Sequence, residues 1–246
     1  MASTSPSRRT TVPTIDHGYA AALYRTHRDA LAGARAAQRG LLNESGGAKA
    51  QLDDIEAELT YLFVRDRAPG TVVELGALHG WSTTWILRAL RDADADGRHG
   101  ALHSFDLIDR AARTVPAELG DGRWTFHHGD VRANLRELPG AIDYLFVDAA
   151  HAARFARWYI DRVFPLLPSG TPVSVHDVFH GRRPKPFSEG SVITSWLAEK
   201  GVPYFTASAA KAPEEHARLV GLKRDLGLDA PIRRPRRNPM IFFRMP

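Results

Sequence analysis

Residues 71–82 read TVVELGALHGWS. The first five, Thr71–Leu75, are apolar or β-branched apart from Glu74, the make-up of a short buried strand. Gly76 and Gly80 follow four positions apart, and from Trp81 to about Arg91 the apolar spacing becomes helical. A strand, a glycine turn and a helix opening directly behind it predict the first unit of a parallel α/β sheet. Glycines at such a turn let the backbone come close to a ligand. The first turn of the new helix presents unpaired N–H groups and partial positive charge, which suit an anion.

Working outward, the same alternation continues through ALHSFD (101–106), a helical stretch to about Leu119, RWTFHH (123–128), a short helix over 131–138, AIDYLFVD (141–148), a helix over 152–166 and TPVSVHD (171–177). A helix near Val192–Lys200, a strand at Pro203–Ala207, a helix near Pro213–Gly221 and the run MIFFRM (240–245) complete it. AIDYLFVD is almost continuously apolar, as a strand buried on both faces must be. The fold class is α/β, doubly wound around a mostly parallel sheet. Upstream, Ile15–Arg39 is Ala/Arg-rich and helical, ending near Gly40. A second helical stretch, Ala48–Arg65, repeats Leu52, Ile55, Leu59, Leu62 and Phe63 at three- and four-residue steps. Neither belongs to the alternation. The expected organisation is a disordered Ser/Thr/Pro/Arg-rich tail (1–14), a helical cap or lid (15–68) and a core (69–246) with a substrate loop at about 178–190.

The 246 residues carry a net charge of +5 and no cysteine, which excludes a disulfide framework, a thiol nucleophile and thiolate metal sites. No apolar run reaches membrane-spanning length and no apolar stretch follows Arg8 and Arg9, so a cytoplasmic protein without a membrane partner is expected. The other basic clusters are Arg182, Arg183 and Lys185, and then Arg233, Arg234, Arg236 and Arg237. No aromatic side chains interleave them as stacking platforms, so nucleic acid is not the favoured partner.

In such a sheet ligands bind beyond the carboxyl ends of the strands, at the point where strand order reverses. The turn reads ExGxxxG, with Asp106 ending the second strand 26 residues after Gly80. It lacks the Gly-x-Gly of a dinucleotide site, and no GxxxxGK[ST] loop is present. VVELGALHGWS instead resembles the first motif of class I S-adenosylmethionine-dependent methyltransferases, above all the catechol O-methyltransferase-like enzymes. The similarity spans about residues 70–180 and takes in Asp106, the HHGD turn ending in Asp130, and the VDAAH and HDV strand ends. It implies a Rossmann-like, seven-stranded sheet and S-adenosyl-L-methionine as cofactor. By the same resemblance the cofactor is held by Glu74, Gly76, Ala77, Gly80, Ser82, Asp106, Leu107, Asp130 and Asp148. Gly76 and Gly80 would border its methionine part, Ser82 its carboxylate, Asp106 its ribose and Asp130 its adenine.

The fourth strand ends at Asp148, with His151 three residues on, and the fifth ends in His176-Asp177. The metal-dependent branch of these enzymes binds Mg²⁺ at these two strand ends, so Asp148, His176 and Asp177 match ligand positions. An imidazole among them suits Mn or another transition ion better than Mg. The pattern also resembles cephalosporin hydroxylase-like proteins and macrolide-sugar O-methyltransferases, and a metal requirement stays open; His176 reads equally as a core histidine and Asp177 as a cap. His151, with Asp148 beside it, stands where the catechol enzymes carry a proton-accepting lysine. Against a phenol its mismatch is about 3.5 pKa units, roughly 4.8 kcal/mol; against an alkanol it is about 9 units, roughly 12 kcal/mol. The expected reaction is O-methylation of a phenolic or chelating hydroxyl on a small molecule, anionic if Arg182, Arg183 and Lys185 meet it, by direct displacement within an aligned pair. The resemblance also implies a homo-oligomer such as a dimer. The alternatives are a nucleic-acid methyltransferase using the Arg233–Arg237 run, or a non-catalytic or hydroxylase-associated cofactor-binding relative.

Overall fold

A computed structural model describes residues 13–43, 49–233 and 238–246. Most of the expected tail, with Arg8 and Arg9, and Arg234, Arg236 and Arg237 of the last basic run lie outside the described residues. Where one N-terminal helix was expected there are two, α1 (His17–Thr26) and α2 (Arg28–Asn43). Asp16 caps α1 by accepting the Tyr19 N–H, His27 breaks the path, and α2 runs on through Gly40. α3 (Asp54–Arg67) starts later than its apolar pattern suggested because Asp53 and Glu56 form a capping box; it ends at Ala68, left-handed, ahead of Pro69.

The core then runs β1 (Thr71–Leu75), α4 (Trp81–Asp94), β2 (Ala101–Asp106), α5 (Arg110–Thr114), α6 (Ala117–Gly120), β3 (Trp124–His128), β4 (Tyr144–Val147), α7 (Ala153–Arg162), β5 (Pro172–Val175), α8 (Glu189–Glu199), β6 (Tyr204–Phe205), α9 (Pro213–Asp225) and β7 (Ile241–Arg244). All seven strands fall within the expected runs. Three helices are shorter than expected, and a proline stands at or beside each interruption. Pro116 separates α5 from α6, with Val115 extended at ψ 125. Ahead of Pro139, Leu138 is extended, and the expected 131–138 helix is a single 3-10 turn, Leu135–Glu137. Beyond Arg162, Pro165 sits in a second 3-10 turn, Phe164–Leu166.

The strand order is β3-β2-β1-β4-β5-β7-β6, parallel except that β7 runs against both neighbours. On β4, Tyr144 and Phe146 enter the core under α1–α4 and α9, whereas Leu145 and Val147 enter the core under α7 and α8. α3 is buried from Asp54 to Arg65, with Tyr61 edge-on to Trp85 of α4 and Phe63 edge-on to Phe242 of β7. Glu58 in its middle pairs with Arg35 of α2 and Lys223 of α9, fastening the N-terminal helices to the C-terminal region. The chain leaves β1 outward to β2 on one side, while β4 lies on the other, so the reversal of order opens at the carboxyl ends of β1 and β4. Among the described residues no helix is long and apolar enough to cross a membrane.

Candidate active site

A cleft of about 1040 Å³ lies at that edge, ample for a ligand of nucleoside size or larger. Of the residues singled out in the sequence, Gly76, Ala77, Ser82, Asp106, Leu107, Asp130, Asp148, His151, His176 and Asp177 line it; Glu74 and Gly80 do not.

The glycines of the β1–α4 turn answer to the protein itself. Gly76 has φ 90, and a Cβ there would fall 2.0 Å from the Asp148 carbonyl oxygen, so only glycine lets the ends of β1 and β4 lie together. Gly80 has φ 75, and its Cβ would meet Val115 Cγ2 at 2.6 Å. Each glycine thus has a reason within the protein, and Gly76 also lines the cleft.

Glu74 is fully buried beneath the turn, where its carboxylate accepts the hydroxyls of Ser82 (2.5 Å), Thr83 (2.7 Å) and Ser104 (2.6 Å). Burial pushes its carboxyl up to about 7 against the pull of those three donors. Glu74 is therefore a strut behind the cleft rather than a contact within it. Because the Ser82 hydroxyl is engaged there, what α4 offers an anion is the N–H groups of its first turn. Asp106 also works internally: one oxygen accepts the N–H groups of Ala77 (2.8 Å) and Leu78 (2.7 Å), the other that of Ile108 (3.0 Å). It holds Leu78 at φ 43 and retains about one of the four acceptor positions of a carboxylate. Asp130 is gripped through both oxygens by the Arg132 guanidinium, which holds its carboxyl below the usual range. That part of the cleft presents an ion pair rather than a lone acid.

Beyond β4 and β5 the architecture changes. His151 Nε2 lies 3.1 Å from Asp177 Oδ2 and 3.8 Å from Asp148 Oδ1, while its Nδ1 lies 3.2 Å from Glu189 Oε2. His176 Nδ1 is 3.0 Å from Asp148 Oδ1 and 3.3 Å from Asp177 Oδ1, and its Nε2 is 3.4 Å from Glu56 Oε2. His180 Nε2 adds a contact to Asp177 at 3.0 Å. Burial pulls both central imidazoles down, but their carboxylates win: Glu189, Asp177 and Asp148 raise His151, and Asp148 and Glu56 raise His176 well above its ordinary value. Burial would raise Asp148, yet the charges of His176 and His151 hold it low.

One ligand atom from each of Asp148, His151 and Asp177 lies within 4.8 Å of the others, a set able to hold a divalent ion. Two carboxylates and an imidazole favour a transition ion over Mg. His151, which was not among the expected ligands, joins the set, and His176 lies buried beside it, its Nδ1 facing Asp148 and Asp177 and its Nε2 facing Glu56 of α3.

Residues that the sequence did not mark complete the site. Glu56 and Asp53 reach it from α3, where Asp54, Asp53 and Glu56 accept the N–H groups of Ile232, Arg233, Asn238 and Met240 and so bring Arg233 and Pro239 to the cleft. His180 and Glu189 come from either end of the loop after β5. The D-x-x-E spacing at 53–56 and the Ser188-Glu189 pair read locally as helix starts, and nothing beside them points to a histidine. Arg182, Arg183 and Lys185 do not line the cleft; the cations that do are Arg132, Arg154 and Arg233.

Residues 73–178 match a family model described as a methyltransferase domain. No curated protein matches the chain. Among solved structures it is similar to the O-methyltransferase from Bacillus cereus in complex with SAH, at 18% identity and TM-score 0.51, over 78% of this chain and 92% of that one. It is also similar to cofactor-bound Rv0187 from MTB, at 20% identity and TM-score 0.52, over 72% and 83% of the two chains. At these identities the likeness establishes the fold.

Proposed function

We propose that the chain, whose residues 73–178 match a methyltransferase domain, is a class I S-adenosylmethionine-dependent enzyme that O-methylates a small molecule bearing a phenolic or chelating hydroxyl. The observation that carries this reading is one cleft with two complementary walls. One wall has the α4 N-terminus and Asp106; the other gathers Asp148, His151 and Asp177 across from them. Bound S-adenosylmethionine supplies an electrophilic methyl group on a sulfonium. The α4 N–H groups suit its carboxylate, the open acceptor of Asp106 its ribose, and the Asp130–Arg132 pair borders the far end.

For the acceptor, the residues must fix an oxygen in line with the methyl group and take its proton, and alignment alone is worth about 7–11 kcal/mol. His151 Nε2, on a side chain 41% exposed toward the cleft, takes the proton, and the negative charge of Asp148 and Asp177 favours the imidazolium that results. A divalent cation held by the Asp148 and Asp177 carboxylates would supply positive charge that acidifies a hydroxyl bound beside it, with His151 Nε2 left to take the proton. Arg154, exposed on the wall beside His151, and Arg233 are placed to meet an anionic group of the substrate.

The test is production of S-adenosylhomocysteine from S-adenosylmethionine with a panel of catechols, phenols, hydroxy acids and simple alcohols, with and without Mg²⁺, Mn²⁺ or Co²⁺. Turnover is expected with acceptors carrying neighbouring oxygens, falling about 10²–10⁴-fold in His151→Ala. Cofactor binding without turnover on any acceptor, or turnover confined to RNA, would overturn the reading.

A further inference from the structure

We propose that Arg132 sets the nucleobase selectivity of the cleft: by occupying the Asp130 carboxylate it leaves hydrogen-bond donors, rather than an acceptor, to meet the base. This rests on the reading of the cleft as an S-adenosylmethionine site. It deepens that reading, because a free acid at this place would demand the amino group of adenine.

The sheet decides which part of the cleft is left for the base. Strand order runs outward from β4 through β1 and β2 to β3, so the turn after β3 lies three strands away from the Asp148 end of β4. With the methyl group delivered toward His151 and the ribose at Asp106 on the end of β2, that turn is what remains. Leu107, Gly129, Asp130, Val131 and Arg132 line the cleft there. Of the six acids that line the cleft, only Asp106 and Asp130 belong to this side.

A carboxylate offers about four acceptor positions, and on Asp130 they are taken. Oδ1 accepts the Arg132 backbone N–H (2.9 Å) and Nε–H (3.0 Å), while Oδ2 accepts Nε–H (3.0 Å) and an Nη2 proton (2.7 Å). Exposed ion pairs are usually loose, since two long side chains must be ordered to make one contact. Here the partners stand two residues apart in one tight turn. The Asp130 carbonyl accepts the N–H groups of Ala133 (2.9 Å) and Asn134 (3.1 Å). Gly129 enters that turn at φ 124 and donates its own N–H to the Asp106 carbonyl (2.8 Å). The short acid is already fixed by a backbone N–H, so only the arginine has to be ordered, and its two-point fork favours that geometry. The guanidinium in turn holds the carboxyl below its ordinary range, so the acid stays ionised and has no proton to offer a base.

What remains toward a ligand is donors. A guanidinium carries five N–H groups and the fork uses two. The two on Nη1 and the second on Nη2 have no other partner among the described residues. They suit a ring nitrogen or a carbonyl oxygen. Adenine and hypoxanthine differ at C6, where one carries an amino donor and the other a carbonyl acceptor. A lone carboxylate would accept from the first and repel the second; with Arg132 on the acid, that discrimination is lost.

The test is calorimetric titration of the full chain with S-adenosylhomocysteine and with S-inosylhomocysteine, its hypoxanthine counterpart, in wild type and Arg132→Ala. The Arg132 side chain is 44% exposed, so its truncation should leave the denaturant midpoint unchanged. Wild type should bind the two compounds within about fivefold of each other. Arg132→Ala, with the acid freed, should bind S-adenosylhomocysteine within about threefold of wild type and the inosyl compound about tenfold or more weakly, because an acceptor then faces an acceptor. A wild-type preference for adenine beyond about fivefold, or the same ratio in both proteins, would overturn the proposal and leave the cofactor reading standing. Failure of wild type to bind either compound would overturn both.

Discussion

The two walls of the cleft are built by opposite means. Beyond β1 and β2 the carboxylates of Glu74 and Asp106 are satisfied by hydroxyl and backbone N–H donors, which do not titrate. Beyond β4 and β5 carboxylates meet imidazoles, and each group's charge depends on its neighbour's. The first wall is a fixed frame whose geometry survives a change of ligand. The second is a balance of charge that an arriving substrate, proton or cation shifts. A methyl transfer needs this division: a rigid seat for the donor and a responsive partner for the nucleophile.

The joint between the walls is the place to break both. Gly76→Ala puts a Cβ into the Asp148 carbonyl and asks a non-glycine residue to adopt φ 90. We expect a stability loss of about 3 kcal/mol or more, seen as a large fall in the denaturant midpoint, with cofactor binding and turnover lost together. Retention of wild-type turnover would show that the walls need no such contact.

Glu74 sharpens the contrast within the fixed wall. Its folded carboxyl titrates near 7 against an ordinary 4.5, so the folded state holds the proton more tightly than the unfolded state does. Its contribution to stability is therefore complete below about 4.5 and declines as pH rises toward 7, by up to about 3 kcal/mol. Glu74→Gln should flatten the pH dependence of stability across that window, in chemical denaturation at fixed pH steps, while leaving kcat per folded molecule within about threefold. A stability that rises across the window in wild type would contradict the assignment.

The smallest effect concerns the rim of the responsive wall. Arg154→Ala should raise KM for an anionic acceptor about five- to tenfold and leave a neutral acceptor and S-adenosylhomocysteine binding unchanged. Equal effects on neutral and anionic acceptors would place the anion elsewhere.

The same contrast explains what could be read from the chain. The frame is local: an apolar run, a glycine turn, a helix start and Asp106 at the next strand end fix one another, and all seven strands lie where alternation placed them. Gly76 was legible as a turn glycine beside a ligand, but the contact that requires it, the Asp148 carbonyl, lies 72 residues away. One helix length went astray at Pro116, where the extended geometry of Val115 ahead of the proline outweighed apolar periodicity. The charge balance was legible only in part. Asp148, His151 and Asp177 stand at strand ends, but their partners Glu56 and Glu189 come from α3 and α8 and carry the spacing of ordinary helix caps. His176 shows the limit most plainly: its position says strand end, and only the fold shows its ring reaching from Asp148 and Asp177 to Glu56 of α3.

The central claim is that this crevice seats a sulfonium nucleoside against Asp106. Calorimetric titration of the full chain with S-adenosylhomocysteine, in parallel with Asp106→Ala, tests it most directly. We expect one saturable site in wild type, weakened about 10–100-fold in Asp106→Ala, the worth of charge-assisted bonds and of the loop they hold. Absence of binding heat in wild type, or equal affinity in both proteins, would contradict it.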